Sequence, residues 1–214
     1  KFMFDGKRLI QHIIKQRYFE EEISNEVNLS YSDNQVTVTT DYPTLVYTLN
    51  SEGYASQCVY SLSSQNRIYQ FSYSAEGYLT GIVENIDNTE YSSTSLTYEN
   101  GDITSISSKM NGLENKFIYE PGEESSTYHL PCLGLLEIHP LTFHIEALYA
   151  GLLGKDPRHF TIRSCPAGSN DEKTIYSYEF DKKGNPSRMI CQTTYAGGQA
   201  SYYPYTRNIS VSFE

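Results

Sequence analysis

A short pattern recurs along this chain. It reads aromatic or Leu, any residue, aromatic or Leu, a small polar or acidic residue, a short gap, Gly, and then an alternating run that ends in Ile, Val or Met. Phe2-Met3-Phe4-Asp5-Gly6 leads into Leu9 and Ile13, and Tyr47-Thr48-Leu49-Asn50 with Gly53 leads into Cys58-Val59. Phe71-Ser72-Tyr73-Ser74 with Gly77 leads into Leu79 and Ile82, and Leu96-Thr97-Tyr98-Glu99 with Gly101 leads into Ile103 and Ile106. Tyr178-Glu179-Phe180-Asp181 with Gly184 leads into Met189 and Ile190. Leu29 to Asn34 is a degenerate copy with Asn in place of Gly, and Phe117 to Gly122 begins another that runs into an acidic loop. Alternation of aromatic and polar residues is the period of a half-buried strand. Polar residues followed by Gly supply the positive-φ positions of a tight turn. Each copy therefore predicts a β-hairpin.

Consecutive hairpins pair in sequence, so the expected fold is all-β, an antiparallel meander of roughly 12 to 15 strands. A sheet that wide coils, splits or closes, and closure removes exposed edges. The expectation is one strongly curled or barrel-like sheet, in a single domain over 1–214 built of about seven hairpin units. Composition agrees: the chain has 20 Tyr and 9 Phe, suited to a pleated surface that is packed on one side and wet on the other. One segment breaks the pattern. Over about 135–154, Ile145, Leu148, Tyr149 and Leu152 follow helical spacing, with Pro140 suited to a first turn and Gly151 or Gly154 to an end. This predicts one helix of about 10 to 14 residues that covers or plugs the sheet.

Net charge is −10, and its distribution is uneven. From Tyr18 to Ser108 there is one basic residue, Arg67, against thirteen acidic ones. Nucleic acid and anionic membrane surfaces both call for a basic face, so neither is an expected partner. No apolar run is long enough for a transmembrane helix. A lipid-facing barrel needs an apolar outer band with aromatic girdles, whereas these strands alternate with Ser, Thr and acids, and mean hydropathy is −0.50.

The units Phe2-Met3-Phe4-Asp5-Gly6-Lys7-Arg8-Leu9 and Tyr178-Glu179-Phe180-Asp181-Lys182-Lys183-Gly184-Asn185 look like the Tyr-Asp repeats of Rhs-type wrapping proteins. The whole layout, hairpin units with a late Leu-rich insert ending Gly151-Leu152-Leu153-Gly154-Lys155 and a closing unit, more closely resembles a family of exported lipoproteins. That family is described as a domain of unknown function with a porin-like fold, chiefly from Gram-negative gut anaerobes. The resemblance implies export, a lipid anchor upstream of Lys1, a periplasmic or outer-membrane-attached location, and no catalytic residues to carry over. The chain departs from the pattern at 111–135.

Residues able to carry chemistry are few in pattern. Cys58, Cys132, Cys165 and Cys191 contain no close pair, which argues against a zinc ribbon or a thioredoxin-type site. Cys132 and Cys165 flank the non-β region and are the first candidates for a disulfide, although buried thiols suit the composition better. His129, His139, His144 and His159 gather around the expected helix with Glu137 and Glu146 nearby, while His12 stands apart. Their spacing matches no HExxH motif, so no metal ligand and no cofactor is assigned. No Gly-x-Ser-x-Gly elbow nominates a catalytic serine, and the 26 acids do not single out a glycosidase pair. Gly197-Gly198 reads as a turn, and the sequon at Asn208-Ile209-Ser210 carries no weight outside a eukaryotic secretory pathway. Tyr195 and Tyr202-Tyr203-Pro204-Tyr205 could form a stacking platform or the packed face of a final hairpin. The expected role is a non-enzymatic binding or surface-interaction module for a glycan, peptide or protein. Its alternatives are an envelope hydrolase acting on glycan or peptide and a structural part of a surface assembly.

Overall fold

A computed structural model describes residues 1–18, 21–40, 44–62, 65–125, 138–169, 171–180, 182 and 186–194. Among them, 14 strands form one sheet in strict chain order. They are β1 Phe2–Asp5, β2 Arg8–Tyr18, β3 Glu21–Ser32, β4 Gln35–Thr39, β5 Thr44–Leu49, β6 Ala55–Leu62, β7 Gln65–Tyr73 and β8 Leu79–Ile86. Then come β9 Thr89–Glu99, β10 Asp102–Met110, β11 Leu113–Ser125, β12 His159–Pro166, β13 Lys173–Phe180 and β14 Pro186–Thr194. The meander is antiparallel, as the hairpin pattern predicts. Gly6, Gly53, Gly77 and Gly101 all take positive φ in turns that join paired strands. The turns between β8 and β9 and between β10 and β11 use Asp87-Asn88 and Asn111-Gly112, with φ positive at both central residues, the type I′ geometry that matches strand twist.

Three expectations need correction. The sheet is not a barrel: the strand order runs from β1 to β14, and these two strands do not pair with each other among the described residues. The β1 edge is blunted by its length of four residues, which is another way to discourage edge pairing. The stretch from 117 to 122 is not a hairpin start, because β11 runs through Pro121 and Gly122 and absorbs them in register shifts against β12. The long helix is replaced by a 3-10 turn at Leu141–Phe143 and a five-residue helix, α1, at Ile145–Tyr149. His144 stands between them at φ −119 and ψ 29, outside helical geometry, and Gly151 at φ +70 stops any continuation. Only one side of this segment is buried, so it covers a sheet face and does not plug a lumen.

The chain groups into two compact units, Lys1–Thr94 with Ile138–Lys155, and Ser95–Glu137 with Asp156–Glu214. In the first, directly opposed residues form two inward rows. One runs Tyr31, Val36, Tyr47, Cys58, Tyr69, Glu84, and the other runs Leu29, Val38, Leu45, Tyr60, Arg67, Ile86. Most of these side chains are buried, as the alternation requires. Residues 138–155 cross this face as a strap that buries Leu141, Ala147, Leu148, Leu152 and Leu153. Backbone bonds fasten its end: Ala55 N–H donates to the Leu152 carbonyl at 2.7 Å, and Lys155 N–H donates to the Gly77 carbonyl at 2.8 Å. In the second unit the core holds Leu96, Ile103, Ile106, Tyr119, Tyr176 and Met189.

The strap's last turn depends on a missing side chain. At Gly154, φ is +88, and a Cβ would stand 2.6 Å from the Gly77 carbonyl oxygen. Gly154→Ala is expected to destabilise the protein by roughly 2–3 kcal/mol. Gly53→Ala, at φ +85 with open space around it, should lose only about 1 kcal/mol. Equilibrium urea unfolding of both variants checks the difference.

Candidate functional site

Glu84 occupies an inward position of β8, on the same face as Ile82 and Ile86, and its side chain has no exposed surface. A buried carboxylate is tolerated only when its oxygens are paired. Here four donors converge on it. Arg67 Nη1 reaches Oε1 at 3.2 Å and Tyr69 Oη reaches the same oxygen at 3.1 Å. Ser92 Oγ and His139 Nε2 donate to Oε2 at 2.8 and 2.6 Å. Burial pushes the Glu84 carboxyl upward, but the bonds from His139 and Ser92 and the nearby imidazole outweigh it and hold the group below its ordinary value. Glu84 is therefore an anchored carboxylate.

The residues it holds are less deeply placed. Arg67 and His139 keep 23% and 27% of their side chains exposed. Tyr91 stands edge-on to His139 at 6.2 Å, and Phe143, 41% exposed, stands edge-on to the same ring at 5.7 Å. Tyr60 meets Phe143 at 6.4 Å and is the cross-strand partner of Arg67.

Beside this cluster lies a second buried group. Tyr47 Oη sits 2.7 Å from His144 Nδ1, with both residues sealed from water. Burial, offset in part by Glu84 and reinforced by His139, lowers His144 to about 3, so the ring is neutral. A neutral ring that accepts the Tyr47 hydroxyl at Nδ1 carries its proton on Nε2. That nitrogen has no hydrogen-bond partner among the described residues, and the Tyr69 and Phe71 rings cross the imidazole at 4.5 and 5.4 Å. Burial also pushes the Cys58 thiol up to about 12, against the opposing bond from Tyr47.

The histidines do not converge on one centre. His139 and His144 lie in the strap, over the β5–β8 face. His12, set apart in sequence, pairs with Glu146 of α1 at 2.7 Å, and Phe2 is stacked between His12 and Tyr149. In the second unit, Asp102 accepts from both the backbone and the ring Nδ1 of His159, each at 2.8 Å. No group of three potential metal ligands occurs among the described residues. His129, Glu137, Cys132, Gly197-Gly198, Asn208 to Ser210 and the tyrosines at 195, 202, 203 and 205 with Pro204 lie outside the described residues. Cys58, Cys165 and Cys191 are thiols and are not in disulfides. Sequence reasoning missed Glu84, Tyr69 and Ser92. The available signal was an acid at an inward step, Ile82-x-Glu84-x-Ile86, in a half of the chain with a single base.

Chemically, the cluster presents a guanidinium and an imidazole pinned from behind by one carboxylate and framed by rings. It can orient hydrogen-bond donors toward an acceptor-bearing ligand. No helix is long and apolar enough to cross a membrane among the described residues, which leaves strands aside.

No curated protein matches the chain. Among solved structures it is similar to a porin-like protein from Bacteroides uniformis ATCC 8492, at 25% identity and a TM-score of 0.84, over 98% of this chain and 85% of that one. Residues 4–188 match the profile of one family, and the chain belongs to it: the "Domain of unknown function (DUF4595) with porin-like fold".

Proposed function

We propose that this domain is a non-enzymatic binding module of the Gram-negative cell envelope, exported, and held to a membrane by a lipid anchor upstream of Lys1. Its ligand is a glycan, peptide or protein, and its hairpin units derive from one repeated motif. The observation that carries the reading is the state of the buried reactive groups. The Cys58 thiol is pushed up to about 12, the His144 ring is lowered to about 3, and the Glu84 carboxylate is filled by four donors. A nucleophile or general base works near its operating pH with an open lone pair, and these groups are held away from both conditions. Their chemistry serves to hold the strap and the sheet together.

The test exposes the full chain to an array of glycans and peptidoglycan fragments, alongside chromogenic ester and glycoside probes. Retention on the array with every probe intact is the expected result. Turnover of an ester or glycoside without retention would replace this reading by the envelope hydrolase.

A further inference from the structure

Resting on that binding reading, we propose that the mouth formed by Tyr60, Arg67, His139 and Phe143 is a subsite for a neutral saccharide, with Phe143 as its stacking surface. These residues close a circuit around Glu84. Arg67 and His139 meet at its two oxygens, His139 touches Phe143, Phe143 touches Tyr60, and Tyr60 lies across the strand pair from Arg67. Opposed residues on adjacent strands share a face, so Tyr60 and Arg67 lie on one face of the sheet in the first unit.

Three observations select the ligand. First, Arg67 supplies the mouth with a group that only donates. Arg67 meets Glu84 through Nη1, and 23% of its side chain stays exposed. A guanidinium carries five donors, so this one can serve a ligand that offers hydroxyl, ether or amide-carbonyl oxygens. Second, Phe143 stays 41% exposed on a strap whose neighbouring Leu141 and Leu148 are buried, and it is flanked by Tyr60 and His139. A sugar ring is two-sided in the matching way, with a C–H face for an aromatic ring and oxygens at its rim. Third, the charge at the mouth suits a neutral ligand. The Arg67 guanidinium already has its counter-ion in Glu84. An anion would have to compete with that buried carboxylate for it.

Glu84 is a positioning residue in this site. It touches no ligand, and its buried bonds fix the directions of Arg67 and His139.

The test titrates the full chain by calorimetry with hexasaccharides of glucose, xylose, mannose and N-acetylglucosamine, and with a galacturonate hexamer as the acidic comparator. At least one neutral hexasaccharide is expected to bind more tightly than the galacturonate. Phe143→Ala and Tyr60→Ala should each weaken that binding about tenfold or more, as loss of an aromatic anchor does. Leu113→Ala, at an exposed apolar position of the other unit, should leave it unchanged. The proposal is overturned when no neutral hexasaccharide binds, when both aromatic variants keep full affinity, or when the galacturonate binds more tightly. Array retention that survives in both aromatic variants removes this site and leaves the binding-module reading standing. Turnover of the ester or glycoside probes without array retention removes both.

Discussion

Glu84→Ala lowers the free energy of unfolding by about 3–5 kcal/mol, the loss expected when one member of a buried charged group is removed. The side chain is fully buried, and its removal leaves Arg67, Tyr69, Ser92 and His139 with donors directed at an empty position. Each of those donors forfeits a charge-assisted bond, and the Arg67 guanidinium is left beside a cavity without its counter-ion. Glu179→Gln is the comparison. Glu179 also pairs with an arginine, at 3.1 Å from Arg188, but both side chains are about half exposed. An exposed pair contributes about 1 kcal/mol or less. Urea unfolding of the two variants at neutral pH should separate them clearly. Equal, small losses would mean that Glu84 is not buried as a charge.

Acid weakens this protein from about pH 6.5 downward, and His144 is the reason. The folded chain holds the ring neutral down to about pH 3, while the unfolded chain protonates it at the ordinary value of 6.5. Between these values the unfolded state binds the extra proton, so stability falls as pH falls, by about 1.4 kcal/mol per pH unit. From pH 6.5 to 3.5 this single ring removes about 4 kcal/mol. Glu84 acts in a lower window. Its carboxyl is held below the ordinary 4.5, so its contribution is complete above that value and is lost as pH drops through the depressed one. His144→Gln keeps an acceptor for the Tyr47 hydroxyl and cannot titrate. Its stability should differ from the parent by a pH-independent offset above pH 7, and the two curves should converge or cross as pH is lowered toward 4. Parallel curves across that range would refute the neutral buried ring.

The sheet was legible because its information is local. Phe71-Ser72-Tyr73-Ser74 with Gly77 specifies two facing strands and the turn between them within about a dozen residues, and β7 and β8 form there. The two-residue turns at Asp87-Asn88 and Asn111-Gly112 carry residue types that suit positive φ, yet neither belongs to the repeated pattern, and β11 follows the second of them where the pattern breaks off. Closure was overestimated because it depends on how much adjacent strands rotate, which no single hairpin encodes. The helix was overestimated for a related reason. The apolar spacing of Ile145, Leu148 and Leu152 is real, but His144 leaves helical geometry to put its ring against Tyr47 and Tyr69.

The site was legible only in fragments. Arg67 stood out as a lone base and His139 as one of a group, but their partner Glu84 is 17 residues from one and 55 from the other. Pairing them requires the strand register, and the register follows from turns that say nothing about ligands. The stacking platform expected near Tyr195 to Tyr205 lies outside the described residues. The aromatic edge described in the structure is instead built by Tyr60, Tyr91 and Phe143, from three different elements.

The strap divides the folding of its unit into an early and a late part. Strand pairs such as β3 with β4 join neighbours in sequence, and hairpins of this kind form in microseconds. The strap's contacts instead close long loops, joining His12 to Glu146 across 134 residues, Tyr47 to His144 across 97, and Tyr73 to Leu152 across 79. Chain entropy delays such closures until the sheet face exists to receive them. A substitution such as Gly154→Ala therefore acts after the rate-limiting barrier of sheet assembly: it leaves the refolding rate nearly unchanged and shows itself as faster unfolding.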